Sequence, residues 1–210
     1  LDLALPETHA AIGDRAFAAE PALVAALGRA ALAGFLAGGV VPIVKHAPGH
    51  GRARVDPHLD LPTVAASHAA LADADFRPFR ALADAPAAMT AHVVYDALDP
   101  ERPASCSPRV IDDIVRGELG LAGLLVSDDV DMGALDGNVS ARVAAVLAAG
   151  NDVALQCNGA GADLEAALAA APPLAAAAEA RLDAARGRAA DGADGVDRHA
   201  LDRRLAASLG

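Results

Sequence analysis

Short apolar runs, each closing on polar side chains, alternate along this chain with longer alanine- and leucine-rich stretches. That rhythm constrains the fold more than any other feature. The strand-like runs cover residues 1–5, 40–44, 87–94, 123–127 and 152–156. Helix candidates lie between them at 21–37, 65–71, 76–83, 108–118 and 140–149. Pro21 sits near a helix start, Gly38 and Gly39 sit at a helix end, and Ser107 precedes Pro108 as an N-cap would. Strands alternating with helices through short connections imply an α/β fold on a parallel sheet, either open or closed into a barrel.

The tail differs. Residues 160–190 are dominated by alanine with leucine and charged side chains, and predict two helices around Pro172 and Pro173. Residues 192–197 predict a turn-rich break and 199–209 a last short helix. No chemistry is expected there, and the natural division is residues 1–190 as one α/β unit with 191–210 as an appended turn and helix. The chain has 210 residues, enough for one domain with a real core. With no Trp and 2% aromatic residues, that core must be built from Ala, Val, Leu and Ile.

Bulk properties exclude several classes. A formal net charge of −11 argues against nucleic acid and against anionic membrane surfaces, both of which select basic patches. No apolar run reaches the ~18–20 residues of a membrane-spanning helix. The start, Leu1-Asp2-Leu3-Ala4-Leu5-Pro6, lacks the basic and small-residue regions of a signal peptide. It reads like the end of a buried strand continuing from earlier residues. Cys106 and Cys157 are expected to be reduced thiols, which points to the cytoplasm. Cys157 is expected to be a small core residue, since no partner that would activate it is evident.

Polar groups gather just after the apolar runs: Lys45 and His46, then Thr90 and His92, then Ser127, Asp128 and Asp129, then Gln156, Cys157 and Asn158. In a parallel sheet the C-terminal strand ends share one rim, so these groups should converge. The densest stretch, from Lys45 to His58, holds three His, three basic residues and one Asp in fourteen positions. Its glycines and prolines make it a loop, with Gly49 and Gly51 free to turn tightly. Asp56 and His58 are spaced to meet in a turn, and a carboxylate beside an imidazole fixes the tautomer and raises basicity, as proton transfer requires. A solvated basic loop is the plain alternative. His50 is expected to shape this loop, His92 to line the rim or serve the core, and His68 to lie on a helix surface.

The second stretch runs from Gly120 to Met132 and contains Ser127-Asp128-Asp129-Val130-Asp131. An Asp at a strand end suits nucleophilic or electrostatic work at a rim, while Asp129 or Asp131 could instead cap the next helix. Three carboxylates in four positions repel, so a partner cation or a raised pKa is expected nearby.

Together these stretches resemble glycoside hydrolase family 3, in particular its bacterial β-N-acetylhexosaminidases of peptidoglycan recycling. The matching pieces are Lys45-His46-Ala47-Pro48-Gly49-His50-Gly51 followed by Asp56-Pro57-His58, and Leu119-Gly120 through Ser127-Asp128-Asp129 to Met132. Lesser ones are Ile12 to Phe17, Met89 to Tyr95 and Asp152 to Asn158. The resemblance implies a TIM (β/α)8-type barrel, N-terminally truncated, with about five strands present and C-terminal helices. It implies a retaining glycosidase that removes terminal β-linked N-acetylglucosamine from muropeptide fragments. Asp128 would be the nucleophile, with Asp129 the weaker candidate. His58 would be the general acid and base, oriented by Asp56, and Arg15, Lys45 and His46 would bind the sugar. No cofactor or metal is implied, the partner is a small amino-sugar substrate, and oligomeric state is left open. The chain departs from the family pattern at Pro57, where Ser is usual. The alternatives are a metal-dependent barrel hydrolase using His46, His50, Asp56 and His58 as ligands, or an inactive fragment of the glycosidase.

Overall fold

The computed structural model describes residues 1–192 and 197–209. Its centre is a four-stranded, all-parallel sheet of β1 (Ile43–Ala47), β3 (Ala87–Thr90), β5 (Leu124–Asp129) and β6 (Val153–Leu155), in the order β1-β3-β5-β6. Two short strands, β2 (Thr63–Val64) and β4 (Val94–Tyr95), pair separately, also in parallel. The main sheet is an open arc, with β1 and β6 as its edges. The α/β architecture with a parallel sheet is therefore the one expected from the alternation of runs.

The helices are α1 (Pro21–Ala37), α2 (His68–Asp73), α3 (Phe76–Ala81), α4 (Val139–Ala148), α5 (Gly161–Ala170), α6 (Ala176–Gly192) and α7 (Arg198–Leu209), with a π-helical stretch at Val110–Glu118. Local chemistry sets their ends. The Glu20 carboxylate accepts the N–H groups of Ala22 and Leu23 ahead of Pro21, and Gly39 closes α1 at φ 76°. Ser107 Oγ accepts the Val110 N–H at 3.1 Å and donates to Asp99. Asn138, rather than Asp129 or Asp131, caps α4 by accepting from Ala141. Pro172 and Pro173 separate α5 from α6. The break expected over residues 192–197 falls largely outside the described residues.

One expected strand is absent. Residues 1–5 form no ladder, because their polar groups are engaged elsewhere. The Leu1 nitrogen donates to the Lys45 carbonyl, Ala4 N–H to Ala18 O, and Leu5 N–H to Thr8 Oγ1. The segment still packs beside β1 and is buried at Asp2 and Leu3. Gly51 makes this possible: a Cβ there would lie 2.4 Å from the Leu3 carbonyl oxygen.

The core lies between the sheet and its helices and includes Phe76, Phe79, Tyr95, Leu71, Leu82, Ile111 and Leu125. Alanine dominates the β3 contribution, which keeps helices close to the sheet. Two polar side chains at the ends of the sheet are fully engaged. Asn151 accepts from Thr90 Oγ1 and donates to the carbonyls of Ser105 and Val146. Asp152 is held at the opposite rim by Arg116 and Arg181. Among the described residues no helix is long and apolar enough to cross a membrane.

Candidate active site

Parallel pairing brings the ends of β1, β3, β5 and β6 to one rim, and a cavity of about 270 Å³ opens there. Arg15, Lys45, His46, His50, His58, Asp128, Asp129, Met89, Met132, Cys157 and Asn158 are among its lining residues. Asp128 and His58, far apart in sequence, share that one cavity, as do all three expected sugar-binding residues. Asp56 stands outside the lining and reaches the cavity only through His58.

Asp128 is prepared by its neighbours. Ser127 Oγ donates to the Asp128 carbonyl at 2.8 Å and accepts the Leu155 N–H, so it clips β5 to β6. Asp128 Oδ1 accepts the Asp129 N–H at 2.9 Å. Oδ2 is left toward the cavity, 3.9 Å from His46 Nε2. Asp129 differs: Oδ1 accepts from Asp131 N–H and Cys157 N–H, and Oδ2 from Asn158 Nδ2. Asp131 takes donors from Gln156 and Asn158. Donated hydrogen bonds across the β5 and β6 ends thus offset the repulsion for which the sequence suggested a partner cation or a raised pKa.

The loop after β1 carries the other half. Gly49 turns at φ 135°, with its carbonyl accepting from the buried Tyr95 hydroxyl at 2.9 Å. Arg52 Nε donates to the buried Asp75 at 2.7 Å. Burial pushes the Asp75 carboxyl up, and Arg52 only partly opposes it. Further on, Asp56 Oδ1 accepts both the backbone N–H of His58, at 2.9 Å, and its ring Nδ1, at 2.8 Å. These bonds hold Asp56 below the usual carboxylate range. Pro57 does not prevent the pairing, and its carbonyl accepts the Ala134 N–H while His58 O accepts that of Gly133. The loop is thus pinned to the segment that follows β5.

On β1 His46 is buried and Lys45 exposed, and both line the cavity. His46 Nδ1 lies 2.7 Å from Asp2 Oδ2. His50 is almost wholly buried and its two ring nitrogens have no protein partner. Burial pushes its pKa down, so the ring is neutral at neutral pH. His92 is a core residue: its ring meets Ser105 Oγ and the Asp129 carbonyl. His68 is exposed on α2 and pairs with Glu118.

Cys157 corrects an expectation. It is exposed and lines the cavity instead of filling the core, because β6 ends before it. Burial and the neighbouring Asp129 push its thiol up, which weakens it as a nucleophile. Asp2 was missed, although a carboxylate within an apolar run is a recognisable sign of a buried partner. Among the described residues, no three His, Cys, Asp or Glu side chains converge as a metal ion would need. A larger cavity of about 500 Å³, between β6 and α4 to α6, is lined mainly by apolar side chains. Its one carboxylate, Asp152, is bound by two arginines.

Known proteins share the family and fold of this chain. The family description "Glycosyl hydrolase family 3 N terminal domain" matches residues 1–191. The chain belongs to that family of glycoside hydrolases. A beta-hexosaminidase of Stenotrophomonas maltophilia strain R551-3 is 47% identical over 152 residues, which is 70% of this chain and 45% of that protein. One from Pseudomonas aeruginosa is 40% identical over 185 residues, covering 87% and 55%. The chain spans about half the length of these curated relatives. The solved family 3 beta-N-acetylglucosaminidase of Paenibacillus sp. str. FPU-7 superposes with TM-score 0.83 at 32% identity, over 93% of this chain and 40% of that one. NagZ from Neisseria gonorrhoeae, in complex with N-trifluoroacetyl-D-glucosamine, gives 0.76 at 31% identity, over 92% and 62%.

Proposed function

We propose that this rim cavity binds a terminal β-linked N-acetylglucosamine and that the chain catalyses its hydrolysis with retention of configuration. The observation that carries the proposal is the shared cavity of Asp128 and His58, reached from β5 and from the loop after β1. The amino sugar is suggested by the relatives named beta-hexosaminidase and by the NagZ neighbour bound to an N-acylated glucosamine.

Asp128 Oδ2 attacks the anomeric carbon while His58 delivers a proton to the departing glycosidic oxygen. The bond to the aglycone breaks and a glycosyl ester on Asp128 forms. His58 then takes a proton from water, the water oxygen attacks the same carbon, and the ester breaks to regenerate Asp128. Asp56, kept anionic by its bonds from His58, orients the ring and steadies its cationic form. Arg15, Lys45 and His46 hold the sugar in line for attack, and such positioning lowers the barrier by prepaid orientation. The substrates are muropeptide fragments of peptidoglycan recycling, met in the cytoplasm. Residues 1–190 carry this chemistry.

The decisive test is hydrolysis of 4-nitrophenyl N-acetyl-β-D-glucosaminide with the first-formed anomer followed by NMR. Turnover giving the β anomer, abolished by Asp128→Ala, is expected. An α product, or undiminished turnover in the variant, refutes the assignment.

A further inference from the structure

Asp2 is only 6% exposed, in a segment where a carboxylate without partners would be very costly. Three donors converge on it. His46 Nδ1 lies 2.7 Å from Oδ2. The backbone N–H groups of His46 and His50 both point to Oδ1, at 3.2 and 2.7 Å. Burial alone would raise the carboxyl, but the His46 ring and the His50 N–H outweigh it and hold Asp2 well below the usual carboxylate range. It is therefore an anion, and its Oδ2 obliges His46 to present Nδ1–H. The other ring nitrogen, Nε2, then faces the cavity, 3.9 Å from Asp128 Oδ2.

We propose that Asp2 is a positioning residue, which fixes the tautomer and orientation of His46 so that Nε2 meets the sugar beside the nucleophile. The proposal rests on reading the cavity as a sugar site. A carboxylate that orients a working imidazole is a general device, and a wrong tautomer disables the imidazole without moving it. The division of labour between the two carboxylate oxygens makes Asp2 testable. Because Oδ1 is taken by two backbone N–H donors, Asp2→Asn must turn its NH2 toward His46 Nδ1. A donor facing Nδ1 forces the ring to become the opposite tautomer, with the hydrogen on Nε2.

Long-range proton–nitrogen NMR of the 15N-histidine-labelled protein reads this directly. The parent should show His46 with a protonated, hydrogen-bonded Nδ1, and Asp2→Asn should move that proton to Nε2. Turnover should fall about 100-fold in the variant, the scale at which misplacing a binding group is felt. In a His46→Ala background the same substitution should cost little more, whereas a merely structural clasp would cost the same in both backgrounds. An unprotonated Nδ1 in the parent overturns the proposal, and so does an undiminished cost in the His46→Ala background. If Asp2→Asn fails to fold, the parent spectrum still decides. A parent that turns over no sugar but shows the protonated Nδ1 refutes the glycosidase reading and leaves the Asp2–His46 assignment standing.

Discussion

Two Asp–His pairs serve the same cavity with nearly the same bond length, 2.7 Å in Asp2–His46 and 2.8 Å in Asp56–His58. Their settings are opposite. The side chains of His46 and Asp2 are 7% and 6% exposed, whereas those of His58 and Asp56 are 62% and 27% exposed. The first pair is built into the floor, where β1 meets the N-terminal segment and three donors saturate the carboxylate. The second sits at a loop tip held by two backbone bonds from Gly133 and Ala134. A buried pair is fixed and serves orientation, because any change of its charge would go uncompensated. The exposed His58 is open to both the leaving group and the incoming water, which the proposed acid and base must meet in turn.

Several experiments would break this contrast or sharpen it. His58→Ala should have the largest effect, about 10² to 10⁴-fold in turnover, the usual worth of a positioned acid and base. The loss should be greater for sugar leaving groups than for 4-nitrophenol, which departs without a proton. Equal losses on both would remove His58 from proton transfer. Asp56→Asn should cost less, about 10-fold, as loss of an orienting partner commonly does. Steady-state rates against pH should then fall off at lower pH on the alkaline side, because a less steadied imidazolium gives up its proton sooner. Gly133→Ala should act more mildly still. The new Cβ would lie 2.8 Å from the His58 carbonyl oxygen, so the loop must shift and kcat/KM should drop several-fold with little loss of Tm.

The smallest effect is on acid stability. A carboxylate held below its ordinary value of 3.8 stabilises the fold above that value, and the contribution disappears as pH falls through the lower, folded value. Urea midpoints measured from pH 5 downward should therefore decline below about pH 3.8 in the parent. Asp2→Asn should flatten that decline more than Asp56→Asn, since solvent screens the exposed pair. Equal slopes would mean the floor pair is not the stronger.

Much of the site was legible because family-like loops put reactive side chains next to backbone signals. The Lys45 to His58 stretch announces a loop through its glycines and prolines, and the apolar run before Asp128 announces a strand end. Asp128 over Asp129 was legible only as similarity. In the structure the two differ because Asp129 faces the β6 end and is consumed by Cys157 and Asn158, whereas Asp128 keeps Oδ2 free of protein donors. Residues 1–5 looked like a strand because alternation and apolar character are shared by any extended buried segment. Whether such a segment joins a ladder depends on which neighbour offers carbonyls and N–H groups in register.

By itself the sequence determined the α/β class, the helix ends at Pro21, Gly38–Gly39 and Ser107, and the residues that must lie near strand ends. Those depend on local periodicity and on capping groups a few residues apart. Only the tertiary structure decided that Asp2 lies under His46, that His50 is sealed without a partner, and that Cys157 opens onto the cavity. Each of these depends on contacts between segments tens of residues apart, whose distances no local pattern encodes.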